Sequence, residues 1–167
     1  KEFFGCDVCF VGALYPEREK LLSEVKKLGA NLKIFGWKNW LNSSLAENYC
    51  GSLLSSKEIT KAYSLAKISL NSNLHPQNGG MNLKTFEIPA SGGFQISDNQ
   101  PDLKNIFKIG EEIETYETIS ELLDKIKFYL SNEDKRNQIA EAGHKRVLKD
   151  HTLSERIKKI IETITHN

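Results

Sequence analysis

The sequence lacks any hydrophobic run close to the roughly 20 residues that a membrane-spanning helix needs. It also has almost no excess charge, because 23 basic and 22 acidic residues leave a formal net charge of +1. That balance is too even for a protein that binds nucleic acid through general phosphate contacts. Residues 1–5 show neither the apolar stretch nor the cleavage site of a signal peptide. A strand-like run follows them at once, so we expect the chain to be cut from a longer protein.

Cysteine is scarce, and its spacing completes no metal or redox motif. Cys6 and Cys9 are spaced as in redox and zinc motifs, but no second pair of Cys or His residues accompanies them. Both lie in or beside a predicted strand, where residues three apart point to opposite faces, so we expect the two sulfurs to stay apart. The odd total of three cysteines predicts reduced thiols and a cytoplasmic location.

Three motifs of other enzyme classes are missing. The sequence has no Gly-x-x-x-x-Gly-Lys-Ser/Thr phosphate loop, no Gly-x-Gly-x-x-Gly after its first strand and no Gly-x-Ser-x-Gly. These absences argue against a P-loop nucleotidase, a dinucleotide-dependent oxidoreductase and an α/β-hydrolase. The four histidines show no metal-ligand spacing. We therefore expect no metal ion and no cofactor.

What the sequence does contain is a regular alternation of short apolar runs and longer amphipathic ones. Its 167 residues fit one domain, and 39 % hydrophobic with 27 % charged residues is typical of a globular protein. The predicted strands are residues 6–12, 31–36, 49–51, 68–73, 94–97 and 113–116. The predicted helices are residues 16–28, 56–67, 82–91, 102–107, 133–149 and 152–164, with another after Thr118, while 37–46 is ambiguous.

The alternation of strands and helices predicts an α/β fold, a doubly wound parallel sheet of Rossmann-like type with helices at its C-terminal end. Six strands suit the order 3-2-1-4-5-6, in which ligands bind beyond the carboxyl ends of the first and fourth strands. The first strand ends at Gly12, and the fourth reaches Asn71 before a loop rich in glycine, proline and asparagine. We therefore expect these two loops to meet at a ligand site.

The segment 79–87 is the most informative stretch of the chain. Gly79 and Gly80 precede a predicted helix, and glycines there let the backbone approach a ligand closely. The N–H groups and dipole of a helix start favour an anion such as phosphate, and Lys84 would add positive charge. The alternative is that the glycines form a merely flexible loop and that Lys84 is a solvated side chain.

Three further side chains are candidates for ligand contacts. Glu87 can accept both hydroxyls of a ribose or sugar diol, or it can form a structural ion pair. Arg18, near the start of the first helix, could grip a diphosphate, or it could pair with a neighbouring glutamate on a solvated face. His75 could donate to a sugar or a phosphate, although a lone loop histidine is usually just exposed.

Several segments together resemble the C-terminal domain of CgeB-like glycosyltransferases, a group related to the group-1 (GT4-like) enzymes of GT-B fold. The resemblance spans nearly the whole chain, and the order and spacing of the segments carry it. They are residues 10–19, 49–51, 62–64, 66–71, the run Met81-Asn82-Leu83-Lys84-Thr85-Phe86-Glu87, residues 90–93 and residues 151–156.

This resemblance implies a two-domain enzyme in which residues 1–167 form the single domain that holds a UDP- or GDP-sugar. The missing N-terminal domain would supply most acceptor contacts. Glu87 matches the second glutamate of the family's Glu-x7-Glu signature, which is expected to bind the ribose hydroxyls. The base should lie near residues 49–53, including Gly51 and Leu53. The residues expected at the diphosphate are Gly80, Met81, Asn82 and Lys84, with Arg18 opposite.

The chain departs from the family pattern at two positions. Gly79 occupies the place of the first glutamate of the signature, so the donor sugar must be contacted by other groups, such as His75, Asn78 or main-chain N–H groups. Lys84 stands where relatives often carry arginine, which keeps the charge but loses the bidentate fork. Two alternatives to a glycosyltransferase half therefore stay open: a non-catalytic nucleotide-sensing or assembly module, and an NAD-dependent domain.

Overall fold

Six parallel strands form the centre of the structure, a computed structural model that describes residues 3–53, 55–73 and 81–165. The order across the sheet is β3-β2-β1-β4-β5-β6, and every neighbouring pair is parallel. This confirms the predicted doubly wound α/β fold. The strands are β1 (Cys6–Val11), β2 (Leu32–Phe35), β3 (Tyr49–Gly51), β4 (Ala66–Asn71), β5 (Gln95–Asp98) and β6 (Glu114–Tyr116).

Seven α-helices surround the sheet in the described ranges. They are α1 (Pro16–Lys27), α2 (Ser56–Leu65), α3 (Lys84–Ala90), α4 (Leu103–Ile106), α5 (Ile119–Ser131), α6 (Glu133–Asp150) and α7 (Leu153–Thr165). The ambiguous stretch 37–46 contains a short 3₁₀ helix, Lys38–Asn42, and a second one follows at Ala46–Asn48. The helix predicted to end at residue 67 ends at Leu65, because Ala66 already pairs with Cys6 in the sheet.

The two faces of the sheet are covered by different helices. On one face, Val8 and Phe10 of β1 pack with apolar side chains of α1 and α5. On the other face, Cys9 and Phe35 pack against Ala62 of α2. Strands buried on both faces need near-continuous apolar runs, which is why the sequence of β1 is readily recognised. The carboxyl edge of the sheet is left for the loops that form the site.

The expectation that the sulfurs of Cys6 and Cys9 stay apart is wrong. The two thiols form a hydrogen bond, which lowers the pKa of Cys6, while the same bond together with burial raises that of Cys9. At the start of β1, the N–H groups of Asp7 and Val8 both donate to the carbonyl of Asn31. Cys6, the first residue of the strand, packs in the same apolar cluster as Cys9, together with Phe35 and Ala62.

The last helix, α7, packs little against the rest of the described chain. Its apolar side chains recur at helical spacing and are all exposed. They are Leu153, Ile157, Ile160, Ile161 and Ile164. Across the described ranges, the search for a helix both long and apolar enough to cross a bilayer finds none.

Candidate functional site

Gly12 ends β1 at a crowded point of the carboxyl edge. Its N–H donates to the carbonyl of Phe35 over 2.8 Å, and its own carbonyl accepts from the indole N–H of Trp40 over 2.8 Å. A Cβ atom placed on Gly12 would lie 3.0 Å from Nζ of Lys84 and 3.1 Å from the ring of Phe10. A side chain on Gly12, just after β1, would therefore crowd the Lys84 ammonium and the Phe10 ring.

Lys84 and Glu87 lie one turn apart on α3 and so share a face of that helix. The Nζ atom of Lys84 lies 5.5 Å from the centre of the Phe10 ring, and no described residue forms a hydrogen bond or ion pair with it. Burial chiefly, and nearby Arg18 as well, lower the pKa of Lys84 to about 8, while Glu87 opposes the shift. A half-buried ammonium without a counterion is a ready partner for an anion.

Glu87 borders a small cavity of about 220 Å³ between α3 and the start of α2. The neighbours of Glu87 on the helix are buried, as its flanking apolar residues predicted. The carboxylate itself is half-exposed, and within residues 3–53, 55–73 and 81–165 it has no hydrogen bond or ion pair. The structural ion pair considered for Glu87 is thus not formed by any residue in those ranges. Its two oxygens are available to donors in the cavity, where Ser56 and Thr60 form the opposite wall.

Arg18 is buried, with only 6 % of its surface exposed. One terminal nitrogen donates to the carbonyl of Ala13 over 3.1 Å and the other to the carbonyl of Ser72 over 2.8 Å. It pairs with neither flanking glutamate, since Glu19 accepts hydrogen bonds from Ser44 instead and none links Arg18 to Glu17 among the described residues. Arg18 therefore joins the loop after β1 to the loop after β4. Its positive charge lies close to both loops.

The guanidinium of Arg18 keeps one polar atom unsatisfied. Its Nε is buried and has no hydrogen-bond partner in the described part of the chain. The group also lies over the rings of Phe10 and Tyr15, at 5.4 and 5.3 Å from their centres. Burial lowers its pKa, and Asp98 is among the groups that counteract this. A buried arginine stays protonated at neutral pH. Its positive charge therefore acts on the cleft electrostatically, although both terminal nitrogens already bond to main-chain carbonyls.

Asn71 and Asn82 connect the end of β4 to the start of α3. Asn71 is fully buried, and its carbonyl oxygen Oδ1 accepts from Nδ2 of Asn82 over 2.8 Å. Oδ1 of Asn82 accepts in turn from the backbone N–H of Thr85 over 3.2 Å, as an N-cap side chain does. Two N–H groups at this helix start, those of Leu83 and Lys84, have no acceptor among the described residues.

The loop expected to hold the base follows β3, on the other side of β1 from β4. Gly51 has a φ of 114°, a conformation that side chains disfavour, and its carbonyl accepts from the N–H of Gly36 over 3.0 Å. The Tyr49 hydroxyl donates to the carbonyl of Gly36 over 3.0 Å and so fixes the same turn. Leu53 is half-buried against the apolar cluster that contains Phe35.

Several residues of the predicted site lie outside the described part of the chain. They are Gly79, Gly80, His75 and Asn78. Met81, the first residue after that gap, lines a cavity on the other side of α3 and packs against the apolar cluster around Phe86.

That cavity, of about 570 Å³, was not predicted from the sequence. It lies between the start of α3, the loop before α4 and the junction of α6 and α7. Its polar wall comes from Asn82, Asp102, His151 and Arg156, and its apolar wall includes Phe86. The polar residues come from three separate stretches of sequence with no common spacing, so no sequence pattern marks them as neighbours.

The histidines of the described chain have structural contacts. His144 lies 2.8 Å from the carbonyl of Pro89 through Nδ1, which ties α6 to the end of α3. The ring of His151 packs against those of Phe86 and Phe107, at 5.5 and 5.7 Å between centres. In the part of the chain that the structure describes, no group of three or more His, Cys, Asp or Glu side chains is placed to hold a metal ion.

The structure is thus a doubly wound α/β domain. Lys84 and Arg18 place two positive charges at its switch point, between the carboxyl ends of β1 and β4. In sequence, the family described as glycosyl transferase-like matches residues 18–162 of this chain. The chain belongs to that family. No curated protein matches the chain by sequence.

Solved glycosyltransferases share the fold. HepE from Anabaena, solved with UDP-glucose, superposes with a TM-score of 0.75 at 11 % identity, over 96 % of this chain and 49 % of that one. Sucrose-phosphate synthase from Thermosynechococcus elongatus gives 0.71 at 12 %, over 96 % and 46 %. The C-terminal domain of the group 1 glycosyl transferase LpcC from Francisella tularensis gives 0.64 at 16 %, over 89 % and 88 %. The chain thus spans about half the length of the first two and most of an isolated C-terminal domain, and the fold matches GT-B C-terminal domains.

Proposed function

We propose that this chain binds the nucleoside diphosphate of a UDP- or GDP-sugar and forms the donor-binding half of a glycosyltransferase. The observation that carries the proposal is the pair on α3: Lys84, an ammonium with no salt bridge to a described residue, and Glu87, a carboxylate with no hydrogen-bond donor among those residues. An anion beside a diol is the ligand chemistry that would satisfy both. A nucleoside diphosphate supplies that combination.

The ligand would cross the carboxyl edge of the sheet along α3. Glu87 would accept the ribose hydroxyls at the cavity between α2 and α3, with the base towards Gly51 and Leu53. The diphosphate would meet the Lys84 ammonium and the N–H groups of Leu83 and Lys84, for which the described residues supply no acceptor. The proposed diphosphate contacts also include Gly79, Gly80, Met81 and Asn82, and His75 is proposed to reach the sugar.

The catalytic contribution of this half would be electrostatic. When the glycosidic bond of the donor breaks, negative charge develops on the departing diphosphate, and preorganised positive groups stabilise it most in a site that excludes water. Lys84 would act directly. Arg18 would act through its field and by holding the two loops together, because both its terminal nitrogens already bind main-chain carbonyls. Gly12 and Asn71 keep the edge open and α3 in place.

Acceptor binding belongs in this proposal to a second, N-terminal domain of a longer chain. The half-length coverage of HepE and of sucrose-phosphate synthase supports it. The CgeB-like subfamily, based on the sequence resemblance, is part of the same proposal. So is a cytoplasmic location, which the three free cysteines support. We expect the isolated half to bind the donor without turning it over.

A non-catalytic nucleotide-sensing module is the second candidate. One observation favours it: glycine occupies position 79, where the family signature has its first glutamate. Turnover separates the two candidates. A natural-length protein that binds the nucleotide sugar but neither transfers nor hydrolyses it would be a sensor.

Calorimetric titration with UDP, GDP and their sugar conjugates tests the proposal. We expect saturable binding in one nucleotide series, weakened by about 1–3 kcal/mol in Glu87→Ala through loss of charge-assisted hydrogen bonds. Glu141→Gln is the matched control, since Glu141 forms an exposed ion pair with Lys145 on α6, away from the cavity beside Glu87. Binding that Glu87→Ala leaves unchanged would place the nucleoside elsewhere. Absence of binding to the natural-length protein would reject the proposed function.

A further inference from the structure

The cavity beside the start of α3 is lined by two charged side chains that have no ion pair in the described part of the chain. Neither Arg156 nor Asp102 forms a salt bridge with a residue that the structure describes, and Nε2 of His151 is buried there without a hydrogen-bond partner. Buried polar atoms without partners are costly, and they commonly mark a place where a ligand or water completes the hydrogen bonding. The Arg156 guanidinium is held in position over the ring of Phe86, at 4.6 Å from its centre.

This cavity shares a wall with the proposed nucleotide site. Asn82 lines the cavity, and the amide of the same residue bonds to Asn71 at the end of β4. The cavity and the Lys84–Glu87 face therefore lie on opposite flanks of α3 and meet at its first residues. A ligand with its nucleoside at Glu87 and its diphosphate at Lys84 would extend from the helix start into the cavity. The group that follows the diphosphate in a nucleotide sugar is the sugar itself.

We propose that the cavity between α3 and the α6–α7 junction is the subsite for the transferred sugar, with Asp102 and Arg156 as its specificity-determining residues. A carboxylate accepts from a sugar hydroxyl and a guanidinium donates to one, so together they fit neighbouring hydroxyls of a hexose ring. A volume of about 570 Å³ is of the size usual for small-molecule sites. Asp102 would supply the carboxylate that Gly79 does not. This inference rests on the proposed function.

The test compares the affinity for a free nucleoside diphosphate with that for its sugar conjugates. The protein at its natural length is titrated with UDP, GDP, UDP-glucose and GDP-mannose, as wild type, Asp102→Asn and Arg156→Gln. Lys158→Gln is the matched control, because Lys158 lies on the same helix, forms an exposed ion pair with Glu155 and does not line the cavity. We expect both cavity variants to weaken the conjugate about tenfold and to leave the free nucleotide unchanged.

Two results would overturn the assignment of the sugar. Equal losses for free nucleotide and conjugate would mean that the cavity only supports α3, through the contact of Arg156 with Phe86. No loss in Asp102→Asn, whose side chain has no bond to a described residue, would show that the sugar lies elsewhere. If neither nucleotide bound even to the wild type, the proposed function itself would fall, and the inference with it.

Discussion

The ammonium of Lys84 occupies the space beside Gly12 that a side chain would otherwise fill. The 3.0 Å separation between Nζ and a Cβ placed on Gly12 links the end of β1 to the start of α3. The residue that follows β1 therefore lies directly beside the first residue of α3, as the strand order requires. Any change at Gly12 should act on the cation of the site.

Gly12→Ala tests this contact. The added methyl group would lie 3.1 Å from the fully buried ring of Phe10, which cannot withdraw, so the flexible Lys84 side chain must give way. We expect weaker binding of the free nucleoside diphosphate and a loss of about 1–3 kcal/mol in unfolding free energy from overpacking. Titration and urea denaturation measure the two effects. Unchanged binding would mean that Lys84 does not contact the diphosphate from this position.

Nucleotide binding should depend on the charge of Lys84. Because its pKa is about 8 in the folded protein, the ammonium loses its proton as the pH rises through that value. A diphosphate is already fully ionised there, since its second pKa is about 6. We expect the affinity to fall above pH 8 by at most about tenfold per pH unit. Lys84→Arg stays charged and should give a flat profile over the same range, and a flat wild-type profile would contradict the assignment.

The same group should destabilise the fold at neutral pH. An unfolded lysine keeps its proton up to its ordinary pKa of 10.5, whereas folded Lys84 releases it at about 8. Between pH 8 and pH 10.5 the unfolded state binds more protons than the folded state, so the free energy of unfolding rises with pH. Below pH 8 the free-energy cost of burying the charged ammonium is fully present. We expect Lys84→Met to raise the unfolding free energy at pH 7 by on the order of 1–3 kcal/mol. Urea denaturation should show this gain shrinking towards pH 10.5.

The sequence predicted the sheet well, because its strand order follows from the order of the elements. The candidate site was chosen by the same reasoning. Alternating apolar and amphipathic runs allow few topologies, and the switch point then brings Gly12 and Asn71 to one edge. The carboxyl edge is set by strand direction alone. Lys84 and Glu87 were recognisable because they lie close together in sequence, one turn apart on a single helix.

Contacts between distant segments could not be predicted in this way. Arg18 finds the carbonyl of Ser72, 54 residues further along the chain, only because the two loops meet in the folded sheet. Asp102 and Arg156 come together for the same reason. The prediction that the sulfurs of Cys6 and Cys9 stay apart failed because it assumed strict side-chain alternation from the first residue of β1, whereas Cys6 packs in the same apolar cluster as Cys9.

The cysteines should differ in accessibility. Cys50 is half-buried, while Cys6 and Cys9 are buried, and burial raises the pKa of Cys50. We expect a thiol reagent to modify Cys50 slowly in the native protein and all three cysteines in urea. Mass spectrometry after timed labelling gives the number of modified cysteines, and Cys50→Ser should abolish labelling of the native protein. Early labelling of Cys9 would contradict this order and show that β1 opens readily.

Arg18→Lys separates the two roles considered for Arg18. A lysine ammonium cannot reach the carbonyls of Ala13 and Ser72 with the geometry of the guanidinium fork, so the connection between the two loops should be lost. We expect the unfolding free energy to fall by about 2–4 kcal/mol, and nucleotide affinity to fall with it as the two loops separate. Arg146→Lys, on α6 and away from the cleft, is the control for an arginine bonded to a carbonyl. A variant that keeps wild-type stability in urea yet loses nucleotide binding would show instead that Arg18 contacts the diphosphate directly, because only the ligand would then sense the change.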